Sequence, residues 1–365
     1  PTTAVLSKTS TFAHDTKVEP KAAGKFVYFA QNRNDKTAIT EYFADDDTLT
    51  NDGLDITIGV NTLIPNNAYK IVSNNIEDTM VVLCHDTLDG SNTAPYTASS
   101  DITATNANTM FVYKYFWDAD KKVQSAWSKF TFNNMQIVSA EAYDSFIYIL
   151  ANENRNLKLL KIDLRNPNFN SLNFPINVDM QTAILSGSYN SGTDKTTFTI
   201  PYTHNQTLIA IDATNGADLT IDSQSTTTVV VKGNHTSCIF GSVFESLYEF
   251  SKPYVREQSA TGAVAITSGR YQIRTLNVDF QDSGFFKATV LPDGRSLTSY
   301  EMTGNVINSA SSVVGVPNIA SGTFTIPIQS KNTGFVCKLL SSSHLPCHFI
   351  SAEIEGFYHR RNRRM

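Results

Sequence analysis

No long stretch of this chain carries apolar residues at helical spacing, and that feature constrains its fold more than any other. Short alternating or continuous apolar runs lie between turn residues instead, which is the pattern of strands. Tyr69 to Ser73, Thr79 to His85, Thr109 to Trp117 and Lys122 to Phe132 predict a four-stranded antiparallel meander. Phe26 to Phe29 and Ile39 to Phe43 precede it; Gln136 to Val138, Phe146 to Leu150 and Leu157 to Leu164 form a further set. Asn and Asp mark the turns at Asn74-Asn75, Asp118 to Asp120, Asn133-Asn134 and Asn152 to Asn156. Several small sheets in succession suggest blades of a β-propeller, although the repeat is imprecise. The Ser/Thr/Ala-rich stretch from Asp86 to Asn108 reads as a long hairpin loop.

The texture changes after Asn166-Pro167. Thr196 to Ile200, Leu208 to Ile211 and Thr226 to Lys232 are short strands, and Asn215-Gly216 is a hairpin turn. A last unit has strands at Tyr271 to Phe280, Phe285 to Leu291, Thr323 to Ile328, Phe335 to Leu340 and Phe349 to Glu355. Pro292-Asp293-Gly294-Arg295 makes the turn after its second strand. The expected fold is all-β: partial propeller blades over 1–168, a β-rich hairpin domain over 169–268, and a β-sandwich with a basic tail over 269–365.

Charged residues are only 17% of the chain, so Ser, Thr and Asn carry much of its polarity, while 22 Phe and 15 Tyr supply packed cores. The net charge of −5 argues against tight nucleic-acid binding by the body of the chain. The exception is Arg360, Arg361, Arg363 and Arg364, without which the rest stands at about −9. Cysteines at positions 84, 238, 337 and 347 are too few and scattered for a disulfide framework, so reduced, mostly buried thiols are expected. No apolar run approaches the roughly 18 residues that span a bilayer, and no signal peptide is visible. The opening Pro1-Thr2-Thr3 reads as the start of a piece of a longer protein.

The late segments carry a family resemblance. Gly269-Arg270-Tyr271-Gln272-Ile273-Arg274 followed by Asp282-Ser283-Gly284-Phe285-Phe286 resembles the GR-x-x-(L/I)-R … (N/D)-S-G-x-F run of the nozzle (tail tubular protein B) family of short-tailed bacteriophages. Ser343-His344-Leu345-Pro346 through Glu355-Gly356-Phe357-Tyr358-His359-Arg360-Arg361 is similar to that family's terminus, with Ile354 where the family has Trp. Val123 to Phe130, containing Trp127, resembles its QSAWSKW strand, with Phe130 for the second Trp. Asn152-Glu153-Asn154 and Phe244 to Ser251 add two shorter likenesses, and the matches run in family order from about residue 26 to the end.

The resemblance implies a structural part of a short phage tail: a hexameric nozzle below the adaptor ring (tail tubular protein A), touching tail fibres and passing genomic DNA without specific binding. It implies a virion location, assembly in the host cytoplasm, no membrane insertion by this chain and no cofactor. Family nozzles are about twice as long, and the absent N-terminal half would supply the other blades. Trp127, Pro346, Gly356, Tyr358, Arg270 and Gly284 are the motif residues expected to matter structurally.

Candidate chemistry is thin beside this. His344, Cys347 and His348, with Cys337 ten residues back, invite a zinc reading, but Pro346 and strand alternation send them different ways. Asp45-Asp46-Asp47 with Asp52 and Asp55 lacks the order of a calcium loop and reads as a solvated turn. There is no G-x-S-x-G elbow, P-loop or H-E-x-x-H. Glu353 and Glu355 share a strand face and could in principle serve a glycosidase; surface groups or arginine partners are the better reading. Trp117 and Trp127 are read as packing residues before stacking platforms, with Trp127 buried between strands. The competing function is a β-propeller carbohydrate-binding or depolymerase-like module. The arginine cluster is expected to meet carboxylates of protein partners, with Glu353 and Glu355 as further interaction residues.

Overall fold

A computed structural model describes residues 14–360 except 25, 34–35, 45–50, 61, 66–67, 85–107, 119–120, 134, 154–155, 166–171, 260–261, 305–312 and 314. Every regular element among the described residues is a strand. The expected hairpin loop at 86–108 falls almost wholly outside them, as does the Asp45–Asp47 run. The chain divides into two compact units, 1–166 and 167–365.

The first unit holds three antiparallel meanders. Strands β1 (Lys21–Ala23), β2 (Phe26–Arg33), β3 (Lys36–Ala44) and β4 (Asn51–Asp55) pair in chain order. So do β5 (Ala68–Asn74), β6 (Thr79–Cys84), β7 (Thr109–Asp118) and β8 (Lys121–Thr131), the four strands expected from the sequence. The third sheet has three: β9 (Gln136–Tyr143), β10 (Phe146–Glu153) and β11 (Asn156–Asp163). The first strands of successive sheets are neighbours, β1 with β5 and β5 with β9. Tyr69 Oη donates to the Ile137 carbonyl (3.3 Å), Lys70 Nζ donates to Ser139 Oγ (3.0 Å), and Asn74 Nδ2 donates to the Asp144 carbonyl (2.6 Å). The turns are made where Asp tolerates a left-handed backbone: Asp78 has φ 46° and Asp144 φ 52°.

Burial follows this stacking. All six residues of β6 are buried. Met80 and Val82 join Phe26, Tyr28 and Ile39 of the first sheet in one core, and Val81 and Leu83 on the opposite face are equally covered. In β10 only one face is fully covered: Ile147, Ile149 and Ala151 are buried while Phe146, Tyr148 and Leu150 are half-exposed.

The second unit builds separate cores, two large ones and, among the described residues, a smaller one of Ile176, Ile211, Ala213 and Ile239. Strands β12 (Leu185–Ser186), β13 (Ser188–Asn190), β14 (Lys195–Thr199), β15 (Ile209–Asp212), β16 (Asp218–Leu219), β17 (Ile221–Gln224), β18 (Thr228–Lys232) and β19 (Ser237–Gly241) form sheets ordered β12-β19-β15-β16 and β13-β14-β18-β17. They enclose Phe198, Leu208, Val229, Val231 and Phe240. Gly216, with φ +77°, makes the expected turn between β15 and β16. Strands β20 (Ser246–Glu249), β21 (Arg256–Ser259), β22 (Gly262–Ala265), β23 (Arg270–Ser283), β24 (Phe285–Pro292), β25 (Thr298–Thr303), β26 (Ala320–Lys331), β27 (Phe335–Ser341) and β28 (His348–His359) follow. The sheets β20-β27-β24-β25 and β26-β23-β28 are the sandwich, closed over Leu276, Val278, Phe286, Val290, Ile326 and Leu339. β21 and β22 form a separate two-stranded ribbon.

Candidate functional site

The motif residues from Gly269 onward converge on the sheet β26-β23-β28. Strand β23 pairs with both of its neighbours antiparallel, so residues far apart in sequence face each other: Arg270 opposite His359, Tyr271 opposite Tyr358, Ile273 opposite Gly356. Gly356 sits where a Cβ would strike the Gln272 carbonyl oxygen and come within 2.9 Å of the Tyr271 ring. Gly269 faces the Tyr358 ring just as closely, so the two ends of the motif interlock through missing side chains.

A second junction lies at the other end of β23. Asp282 takes φ 45°. Buried Ser283 donates through Oγ to the Gln281 carbonyl (2.9 Å) and accepts the His348 N–H (2.9 Å). Gly284 donates its N–H to the Pro346 carbonyl (2.9 Å), and a Cβ on it would lie 2.8 Å from Leu345 Cβ. The Asp282-Ser283-Gly284 turn and the segment through Pro346 are therefore one joint, which sequence spacing could not reveal.

The outer face of this sheet is a polar ladder. Thr323 Oγ1 and Ser351 Oγ both donate to the Asp279 carboxylate at 2.6 Å, and those two bonds hold its pKa below the ordinary carboxylate value. Thr325 Oγ1 donates to Asn277 Oδ1 (2.8 Å) and Thr275 Oγ1 to Glu355 Oε2 (3.1 Å). Glu353 lies opposite Asn277 on the same face, exposed like Glu355. Arg360 follows β28 and is exposed; Arg361, Arg363 and Arg364 lie outside the described residues. Asp279 escaped the sequence reading, although its place at period two from Asn277 was a visible sign.

Trp127 is in the first unit and is half-buried rather than buried. β8 is the outermost strand of its sheet, so one ring face rests on Tyr113 (centroids 5.0 Å) and the other stays partly open; Nε1 donates to the Ile56 carbonyl at 2.9 Å. Beneath it lies a charged knot that sequence reasoning missed. Lys122 Nζ donates to both Glu41 carboxylate oxygens (2.7 and 2.6 Å) and to Tyr113 Oη (3.1 Å), and Tyr28 Oη donates to Glu41 Oε2 (2.8 Å). Burial, then the Glu41 charge, drives the Tyr28 pKa far up, and burial raises Tyr115 to about 12.

The His/Cys group does not assemble. His344 is buried and its Nε2–H donates to the Gly216 carbonyl at 2.9 Å, burial lowering its pKa. Cys337 is inside the sandwich core, its thiol pushed up to about 12 by burial, and His348 is exposed. Among the described residues no three His, Cys, Asp or Glu side chains are placed to hold a metal. All four cysteines are free thiols, three of them buried. Asp55 Oδ1 accepts from Thr57 N (2.9 Å) and Oγ1 (2.6 Å), and its Oδ2 accepts from Arg33 at 3.4 Å. Among the described residues, a cleft of about 450 Å³ beside Ile209, Asp218, Phe285, Ser343, His344 and Leu345 is lined by one carboxylate, not a facing pair.

Comparison with known proteins places this geometry in a family. The family model described as bacteriophage nozzle protein matches residues 1–365. Tail tubular protein gp12 of Escherichia phage T7 is 24% identical over 383 residues, covering 98% of this chain and 45% of its own length. The chain thus spans less than half of that relative. Among solved structures, an exo-β-1,3-galactanase from Phanerochaete chrysosporium aligns over 94% of this chain and 96% of its own, with 10% identity and a TM-score of 0.24. A β-fructofuranosidase from Schwanniomyces occidentalis aligns over 92% and 78%, with 7% identity and a TM-score of 0.19. Likenesses that distant carry no argument about this chain.

Proposed function

The chain belongs to the bacteriophage nozzle protein family, and from that premise we propose that it is a structural component of a short phage tail, part of the nozzle of the DNA-ejection channel. The observation that carries this is the family match over all 365 residues. The interlocked motifs of the last sheet agree with it, because they are spent on architecture: Gly269 on Tyr358, Gly284 on Leu345, Gly356 on Gln272. The protein works in the virion tail, assembled in the bacterial cytoplasm, as a hexamer joined to the tail adaptor and tail fibres, with duplex DNA passing its lumen.

Residues 1–168 are read as propeller blades, 169–268 as a β-rich nozzle domain and 269–365 as the terminal sandwich. Support for blades comes from the side-by-side first strands β1, β5 and β9, since in a propeller the innermost strands of successive blades gather round one axis. The chain is proposed to have no catalytic role and no cofactor. Glu353 and Glu355 sit together on one exposed strand face within a polar ladder, Glu355 accepting from Thr275 and Asn277, which suits surface contacts better than hydrolysis.

The experiment is assembly of the full-length protein with its adaptor, imaged for symmetry. Six-fold particles are the expected product. A monomer or trimer that binds or cleaves capsule sugar would replace this reading with the carbohydrate-module one.

A further inference from the structure

The sandwich has four outer strands, and three of them are short or carry the residues that stop a sheet from growing sideways. β26 contains Pro327 and ends on Lys331, while β20 and β25 are four and six residues long. β28 is the exception. It has twelve residues without a proline or a lysine, eleven of them exposed, and β23 is its one paired neighbour among the described residues. Ile350 is 65% exposed and Phe357 61%. A long, partly apolar edge without these guards is a ready template for another strand.

The two faces of β28 differ in chemistry. Phe349, Ala352 and Ile354 lie opposite Phe280, Val278 and Leu276, so they continue the apolar inner face of the sheet, and the Phe349 ring meets core Phe286 edge-on with centroids 5.0 Å apart. Ser351, Glu353 and Glu355 lie opposite Asp279, Asn277 and Thr275, which brings three carboxylates to the outer face. We propose that a strand of another tail protein adds to this sheet along β28, with aliphatic side chains on its inner face alternating with lysine or arginine on its outer face. The inference names a partner for the structural tail component proposed above and rests on that reading. Charge complementarity selects the occupant. Beside Ala352 and Ile354 the added strand meets apolar surface, and beside Glu353 and Glu355 a cationic neighbour stabilises where an acidic one repels. The strand period of two turns those two requirements into a strict alternation. β28 of a second copy is a poor match, because an antiparallel pair of these strands centred on Ile354 sets glutamate against glutamate.

The probe is a short peptide of alternating lysine and valine. A peptide of the same composition with its lysines in one block, and an alternating glutamate–valine peptide, are the controls. Amide exchange is followed on the full-length protein at those amides of 348–359 that point away from β23. The expected result is exchange at least about fivefold slower with the alternating lysine peptide and unchanged with either control. Glu353→Lys with Glu355→Lys is expected to reverse the preference, so that the glutamate–valine peptide protects instead. No protection, or equal protection by the block peptide, overturns the proposal. The same amides are then compared in the protein purified alone and in assembled tails, with fast exchange expected in the first and slow in the second. Slow exchange in the protein alone overturns the proposal, since a second copy would then hold the edge. Fast exchange in assembled tails overturns it too. The peptide measurements need no tail, so a wrong tail assignment and a wrong docking edge give different results.

Discussion

Glu41 is a buried carboxylate of the first unit. It is 2% exposed and its charge is answered by Lys122, itself largely covered, and by the Tyr28 hydroxyl. Removing one member of such a pair strands the other charge, which typically costs about 3–5 kcal/mol. Glu41→Ala is therefore expected to lower the urea midpoint by that equivalent, while Glu41→Gln with Lys122→Met recovers much of the loss. Equal stability of the Ala variant and the parent would show the pair to be solvent-screened. This pair was not legible in the sequence, because its members are eighty-one positions apart and only strand pairing brings them together. Asp179 gives a second residue-scale prediction. Burial raises its pKa to about 6 from 3.8. The folded state then holds a proton that the unfolded state has lost between about pH 4 and 6, so stability falls as pH rises through that window, by about 1–3 kcal/mol in total. Asp179→Asn should flatten that part of the stability–pH curve. An unchanged slope between pH 4 and 6.5 would contradict the assignment.

Among the elements, β28 is the one whose pairing the motifs explain. It has twelve residues, runs antiparallel to β23 and is exposed along nearly all its length. Its register depends on Gly356, where any side chain meets the Gln272 carbonyl. Gly356→Ala should loosen the end of β28 and cost about 1–3 kcal/mol through overpacking, seen as faster amide exchange from Gly356 to His359 while β24 and β27 stay protected. Uniform exchange across both strands would place the strain elsewhere. Strands with alternating or continuous apolar residues were readable in advance, including the β5 to β8 meander and the core strands of the sandwich. Strands of other texture were not: β20 (Ser246–Glu249) is exposed at every position, and β25 (Thr298–Thr303) buries only Met302 deeply. Trp127 was placed too deep for a related reason. Periodicity marked β8 as a strand but could not show that it is the outermost one, where a ring has cover on one side only.

At the scale of the whole molecule, the proposed place in a DNA channel raises the question of how such a surface would avoid holding DNA. Each phosphate neutralised by Lys or Arg adds favourable counterion release, so a bore lined with arginine would slow passage. The outer face of the last sheet carries Asp279, Glu353 and Glu355, and the hydroxyls of Thr323 and Ser351 donate to Asp279 rather than outward. Such a face repels a polyanion. The sequence tail Arg360, Arg361, Arg363 and Arg364 is the opposite, and it follows directly on the strand that bears Glu353 and Glu355. The proposed reading is that this tail meets carboxylates of a neighbouring subunit or another tail component, for which the planar guanidinium fork is well suited. Replacing the four arginines with serine in the full-length protein is then expected to weaken hexamer formation or adaptor attachment, and to leave duplex DNA affinity nearly unchanged at every salt concentration. If assembly is untouched while DNA affinity drops and its salt slope shrinks by about 4, the arginines face the lumen, and the acidic sheet face cannot be the wall that DNA meets.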